Sequence, residues 1–202
     1  MIRHAIVEES ARRYIYGATD VELCPHSLQA QAPMYVALAR RLPPPGAGTV
    51  WISSPLTRAQ RTAAAIFAAG YPEQVLVLEP GLAELSFGDW QGRTHLQIAQ
   101  ELTRPPHPFW GIAGDERPPG GESMADGIVR VGGTLERLVQ TYPDRDVVAL
   151  THGGAIRAAV AHALRVPADT ALHLSVENLS LTRIDRLDAG WRVDCVNELP
   201  GV

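Results

Sequence analysis

Two histidines near opposite ends of the chain each follow an apolar stretch: His4 after Met1-Ile2-Arg3, and His152 after Val147-Val148-Ala149-Leu150-Thr151. Between them lie Ser53-Ser54-Pro55-Leu56-Thr57-Arg58-Ala59 and Glu84-Leu85-Ser86-Phe87-Gly88-Asp89-Trp90-Gln91-Gly92. Two histidines, the arginines Arg3 and Arg58, and one glutamate make a set suited to phosphoryl transfer. A neutral imidazole nitrogen of His4 can attack phosphorus and give a phosphoramidate, which splits hydrolysis into two easier steps. Arg3 and Arg58 can neutralise the charge that develops on the equatorial oxygens. His152 can donate to a phosphate oxygen, and Gly153-Gly154 let the backbone of a following helix come close to an anion. Glu84 can protonate the leaving alkoxide and later deprotonate water. Singly, each has a plainer reading as core histidine, surface arginine or solvated glutamate; the combination favours the reactive one. Arg61 and Arg157 keep the reading of surface helix charges.

Composition narrows the chemistry further. All 18 basic residues are arginine and there is no lysine. A lysine Schiff base, pyridoxal attachment and a P-loop lysine are therefore excluded. Any anion site must use arginine, histidine and backbone N–H groups, and the planar guanidinium suits phosphate. A net charge of −4 and a pI near 6.0 argue against a general nucleic-acid surface. Cys24 and Cys195 have no framework or metal-ligand spacing, and no carboxylate cluster suggests a metal, so no cofactor is expected. No apolar run approaches the roughly 18–20 residues of a membrane span, and no signal-peptide core is seen, which leads to the expectation of a cytoplasmic protein without a membrane partner. The expected partner is a small-molecule phosphate monoester, with a homodimer left open.

These residues need strands and helices to bring them together. The pattern predicts a short strand ending at Arg3, a helix over 32–42 and a strand over 49–53. A helix over 55–69 follows, with Ser54 as N-cap, Pro55 at its first position and Gly70 as stop. Then come a strand over 74–78, a helix over 94–102, a helix over 123–142 weakened by Gly127, Gly132 and Gly133, a strand over 146–151 and a helix over 154–164. Paired strands over 178–184 and 191–197 flank Asp188-Ala189-Gly190. Alternating strands and helices predict an α/β three-layer sandwich with a mostly parallel central sheet and helices on both faces. Residues 1–202 read as one domain, with a lid or insert at about 94–121, where Pro105 to Gly121 is long for a loop. In such sheets ligands bind outside the carboxyl ends of strands, where Arg3-His4, Ser53 to Arg58 and His152 all fall.

The chain resembles the histidine phosphatase superfamily, the branch that includes phosphoglycerate mutases. Arg3-His4-Ala5 resembles R-H-G, Ser54-Pro55-Leu56-Thr57-Arg58-Ala59 with Thr62-Ala63 resembles S-P-L-x-R-A-x-x-T-A, and Glu84 to Gly92 resembles E-x-x-F-G-x-W-x-G. Pro119-Gly120-Gly121-Glu122-Ser123 resembles P-G-G-E-S, and Thr151 to Arg157 resembles the second-histidine segment. Arg12-Arg13-Tyr14 through Asp20 and Leu23 resembles a segment that flanks the pocket. The resemblance implies catalytic roles for Arg3, His4, Arg58, Glu84 and His152, with Gly153 and Ser10 joining the phosphate-binding set. It departs from the family at Ala5, Ile6, Val7 and Ser10, which stand where glycine, glutamate, threonine and asparagine are usual. Val7 cannot donate to phosphate as a threonine can.

The Phe87 to Gly92 stretch and the length resemble the small-phosphatase branch, which includes alpha-ribazole phosphatases. The implied function is a metal-independent phosphomonoesterase that hydrolyses a small phosphorylated metabolite through a phosphohistidine on His4, with Glu84 as general acid and base. A phosphoglycerate mutase-type phosphotransferase and a weakened phosphate-binding regulatory module are the alternatives. A protein phosphohistidine phosphatase is disfavoured by the presence of Glu84, because a phosphoramidate needs less help from an acid. Arg12, Arg13, Phe109, Trp110 and Arg117 are candidates for the leaving-group side.

Overall fold

The computed structural model describes residues 1–46 and 48–201; the expected connection over 43–48 includes Ala47, which lies outside the described residues. Six strands form one sheet: β1 (Ile2–Arg3), β2 (Thr49–Ser53), β3 (Leu76–Leu78), β4 (Asp146–Thr151), β5 (Leu181–Leu187) and β6 (Gly190–Glu198). Their order is β3-β2-β4-β1-β5-β6, with β3, β2, β4 and β1 parallel and β5 and β6 antiparallel to their neighbours. The helices are α1 (Glu9–Arg12), α2 (Pro25–Ala30), α3 (Ala32–Arg41), α4 (Thr57–Ala68), α5 (His95–Ile98), α6 (Met124–Thr141), α7 (Gly153–Leu164) and α8 (Ala168–Ala171).

Strand alternation builds the three layers. On β2, Val50 and Ile52 point to one core and Trp51 to the other. On β4, Ala149 joins the first core while Val148 and Leu150 join the second. The first core is closed by α6 and α7 through Met124, Val131, Leu138, Ala155, Ala158 and Ala159. The second is closed by α3 and α4 through Tyr35, Leu38, Ala59, Ala63 and Ile66. Trp51 packs there against Phe67 and Tyr71, with ring centroids 4.7 and 4.8 Å away.

The glycines of α6 do not break it. A Cβ on Gly132 would lie 2.2 Å from the His162 ring on α7, so the close approach of α6 and α7 requires a bare backbone there. Helix α6 starts with a capping box in which Ser123 and Asp126 satisfy each other's backbone. Helix α4 departs from expectation. It begins at Thr57 rather than Pro55, and Ser54 is not its N-cap. The carboxylate of Asp20, from a distant loop, instead accepts the Thr57 N–H at 3.0 Å and also the Thr57 hydroxyl. Ser54 Oγ is engaged with the Leu56 N–H and His152.

Candidate active site

The carboxyl ends of β1, β2 and β4 lie side by side. The His4 N–H donates to the Thr151 carbonyl at 2.9 Å, and the Ser54 N–H donates to the Leu150 carbonyl at 2.9 Å. This register sets His4 beside His152, with ring centroids 5.1 Å apart and planes inclined by 57°. His4 is 2% exposed, and His152 and Arg58 are fully buried.

The His4 ring is held in one orientation. Its Nδ1 lies 2.7 Å from the Ala5 carbonyl, which can only accept, so Nδ1 carries the proton and Nε2 the free lone pair. Burial, then Arg58, then Arg3 hold its pKa well below the ordinary histidine value. The ring is therefore neutral near pH 7. Ala5 contributes through its backbone: its N–H donates to Thr62 Oγ1 at 3.0 Å, and that hydroxyl donates to the Arg58 carbonyl.

Arg58 is fixed through all three guanidinium nitrogens. Nη1 donates to Thr19 O at 2.7 Å, Nη2 to Gly17 O at 2.6 Å, and Nε to His152 Nδ1 at 3.2 Å. Because His152 Nδ1 accepts there, its Nε2–H donates to Ser54 Oγ at 2.7 Å. Both ring nitrogens of His152 thus already have protein partners, and a bond to phosphate would replace one of them. Burial, then His4, Arg58 and Arg3, hold the His152 pKa well below the usual value. Arg3 donates from Nη1 to the Val176 carbonyl, while its buried Nε has no hydrogen-bond partner among the described residues.

Glu84 caps helix α7. Its carboxylate accepts the N–H groups of Leu85 at 3.0 Å, Gly154 at 3.1 Å and Ala155 at 3.2 Å. A Cβ on Gly154 would sit 2.3 Å from Glu84 Oε1. The second glycine therefore makes room for this side chain, rather than for the ligand that the sequence suggested. Gly153 adjoins two cations: a Cβ there would lie 3.1 Å from Arg157 Nη1 and 3.4 Å from Arg3 Nε.

The P-G-G-E-S segment has a mechanical part. Glu122 holds the Ser86 backbone at both ends: its N–H donates to Ser86 O at 2.7 Å, and its side-chain Oε2 accepts the Ser86 N–H at 3.1 Å. Arg130 on α6 holds Glu122 through Nε at 2.6 Å and Nη2 at 2.9 Å. Its Nη1 reaches Gly81 O at 2.9 Å and Ala83 O at 3.1 Å. Glu84 is thus clamped on both sides by one ion pair, a role that no sequence pattern suggested for Arg130.

An open cavity of about 300 Å³ lies against Arg3, Glu84 and Gly153. Arg12, Phe109 and Trp110 line it as candidates for the leaving-group side should. Arg13 and Arg117 do not; they pair with Glu9 and Asp126. Ser10 is exposed on α1 and is not part of the cavity wall. Arg157, read from sequence as a surface charge, lines the cavity half-buried. Its Nε donates to Leu174 O at 2.9 Å and its guanidinium lies 4.6 Å over the Trp110 ring. Two signals could have found it: it stands one turn from Gly153 on α7, and no acidic residue stands three or four positions away on that helix.

Among the described residues no group of three or more His, Cys, Asp or Glu is arranged to hold a metal, and no helix is long and apolar enough to cross a membrane.

Residues 1–199 match the family model described as histidine phosphatase superfamily (branch 1). A glucosyl-3-phosphoglycerate phosphatase of Mycolicibacterium vanbaalenii is 31% identical, over 98% of this chain and 92% of that protein. A probable phosphoglycerate mutase of Cronobacter sakazakii is 29% identical over the same shares. The native structure of a mycobacterial glucosyl-3-phosphoglycerate phosphatase superposes with a TM-score of 0.78 at 27% identity, covering 98% of this chain and 97% of that one.

Proposed function

Because the chain belongs to the histidine phosphatase superfamily, we propose that it hydrolyses a small phosphorylated metabolite through a phosphohistidine on His4. The observation that carries this reading is the His4 ring itself: neutral, buried, fixed by Ala5, and set between two arginines and a second histidine.

In the first step the His4 Nε2 lone pair forms the N–P bond as the ester P–O bond breaks. The unpartnered Arg3 Nε–H and the remaining N–H groups of Arg58 take up charge on the phosphoryl oxygens. Glu84 gives its proton to the departing alkoxide, and the alcohol leaves through the cavity. In the second step water attacks phosphorus, Glu84 takes its proton, the N–P bond breaks and inorganic phosphate is released. His152 orients Arg58 through its Nδ1 and exchanges its Ser54 bond for a phosphate oxygen when the anion arrives.

A rapid-quench experiment with radiolabelled substrate tests this. Label that is stable to base, labile to acid and absent from His4→Asn is expected. Absence of label on a chain that turns over would overturn the phosphohistidine route. Label that passes to an isomeric phosphoglycerate instead of to water would identify a mutase.

A further inference from the structure

The wall of the cavity beyond Glu84 carries cations that the transfer chemistry does not use. Arg157 makes one backbone hydrogen bond, to Leu174 O, and has no carboxylate within ion-pairing distance among the described residues. Its position is fixed, since Nε is tied down and the guanidinium lies over the Trp110 ring. Two N–H-bearing nitrogens, Nη1 and Nη2, are left without acceptors among the described residues. Arg12, at the exposed rim, likewise has no ion pair among the described residues. Burial lowers the Arg157 pKa from 12.5 to about 10, so it still carries its charge at neutral pH. Glu84 and Glu177 act on it only from beyond ion-pairing distance; a half-buried guanidinium with no directly paired anion is costly, and a ligand anion would relieve that cost.

Its surroundings set what the anion is attached to. Gly153 separates Arg157 from Arg3, and Glu84 stands in the same wall. An anion gripped by Arg157 is therefore next to the transferring phosphoryl group but distinct from it, on the side where the leaving alcohol is protonated. Phe109 and Trp110 add aromatic surface there, and Phe109 is 69% exposed and available for contact.

We propose that Arg157, assisted by Arg12, selects phosphate monoesters whose leaving alcohol carries its own fixed anion, with the alcohol's carbon skeleton lying against Trp110 and Phe109. This rests on the phosphatase reading above. The anion is a carboxylate or a second phosphate; both suit the planar fork of an arginine.

Matched substrate pairs test it on the intact protein. 3-Phosphoglycerate against glycerol 3-phosphate isolates a carboxylate; 1,3-propanediol bisphosphate against the monophosphate isolates a second phosphate. At least one pair should show a preference in kcat/KM of about 10- to 100-fold for the more anionic member, the range for a hydrogen-bonded charge in a partly dry site. The pair that responds names the anion. In Arg157→Met the preference should collapse towards one, and Arg157→Lys should keep part of it as a point charge. A wild-type preference under about threefold for both pairs would overturn the inference without any variant, so a misfolded Arg157→Met does not protect it. So would a uniform loss across all substrates in Arg157→Met with weaker inhibition by inorganic phosphate, since Arg157 would then hold the transferred group. p-Nitrophenyl phosphate serves as the control: turnover there without any preference defeats this inference alone, whereas no turnover of any ester defeats the phosphatase reading and this inference with it.

Discussion

Replacing Arg130 by methionine tests how Glu84 is placed. The side chain is not part of the cavity wall, yet it joins Glu122, Gly81 and Ala83 by four hydrogen bonds of 2.6 to 3.1 Å. Ala83 precedes Glu84 in the chain, and Glu122 holds Ser86 two residues beyond it. Without Arg130 both sides of the loop are released. The ion pair is one-quarter exposed, so its loss costs stability by about 2–3 kcal/mol, less than a fully dry pair would. For catalysis, a displacement of about 1 Å in a positioned acid costs on the order of 100-fold. That loss should appear only where the acid matters, for alkyl phosphates with poor leaving groups. p-Nitrophenyl phosphate, whose leaving group needs little protonation, should lose no more than about fivefold. The assay is kcat/KM across aryl and alkyl phosphates plotted against leaving-group pKa: the slope should steepen in Arg130→Met and recover in part in Arg130→Lys. Parallel lines for wild type and variant would refute the positioning role, whatever the loss of stability.

Glu84→Gln should steepen the same plot further, with losses of about 10²- to 10⁴-fold for alkyl esters, and equal losses for aryl and alkyl esters would remove Glu84 as the acid. His4 and His152 have folded-state pKa values below the ordinary 6.5, so the unfolded chain binds more protons and stability must fall as pH drops below about 6.5. Urea melts between pH 5 and 7.5 should show this, with a shallower dependence in His152→Asn; a flat profile would contradict the buried neutral pair. Asp20→Ala removes the cap of α4 and should cost about 0.5–2 kcal/mol, seen as a lower melting temperature. No change would mean that solvent caps Thr57 equally well.

Much of this molecule could be read from its residues. Strands over 49–53 and 146–151 have the expected bounds because their apolar runs are bordered by turn formers and reactive residues. The helix over 123–142 survives its glycines because Gly127 and Gly132 make room for Leu85 and His162, while Gly133 lies on the exposed face, where a missing side chain disturbs no packing. The departures share one cause, that partners come from far along the chain. Ser54 has the right chemistry for an N-cap, but Asp20 reaches Thr57 first and His152 takes the serine hydroxyl. Sequence suggests Glu84 as an acid without a fixed seat, while its place on the α7 N-terminus depends on a glycine 70 positions later. Arg157 and Arg130 look like ordinary helix charges until folding places Trp110 under one and the Glu84 loop under the other. Helices α1, α2 and α8 span only 4 to 6 residues, too few for a periodic pattern.

The two-residue strand β1 carries a consequence for how the protein comes into being. His4 leaves a ribosome well before its partners do, yet its N–H is held by Thr151 and its carbonyl by the Asn178 side chain. Until the chain beyond residue 178 has emerged, the proposed nucleophile has neither its neighbours nor its neutral, oriented ring. Such distant pairings close slowly, because a long loop must be ordered before any contact rewards it. From the emergence of His4 to that of Asn178 the nascent chain is therefore chemically silent, with Ile2, Ala5 and Val7 awaiting the strands that will cover them. Reactivity appears when β1 is finally sandwiched between β4 and β5, so a phosphorylated His4 would mark a molecule whose folding is finished.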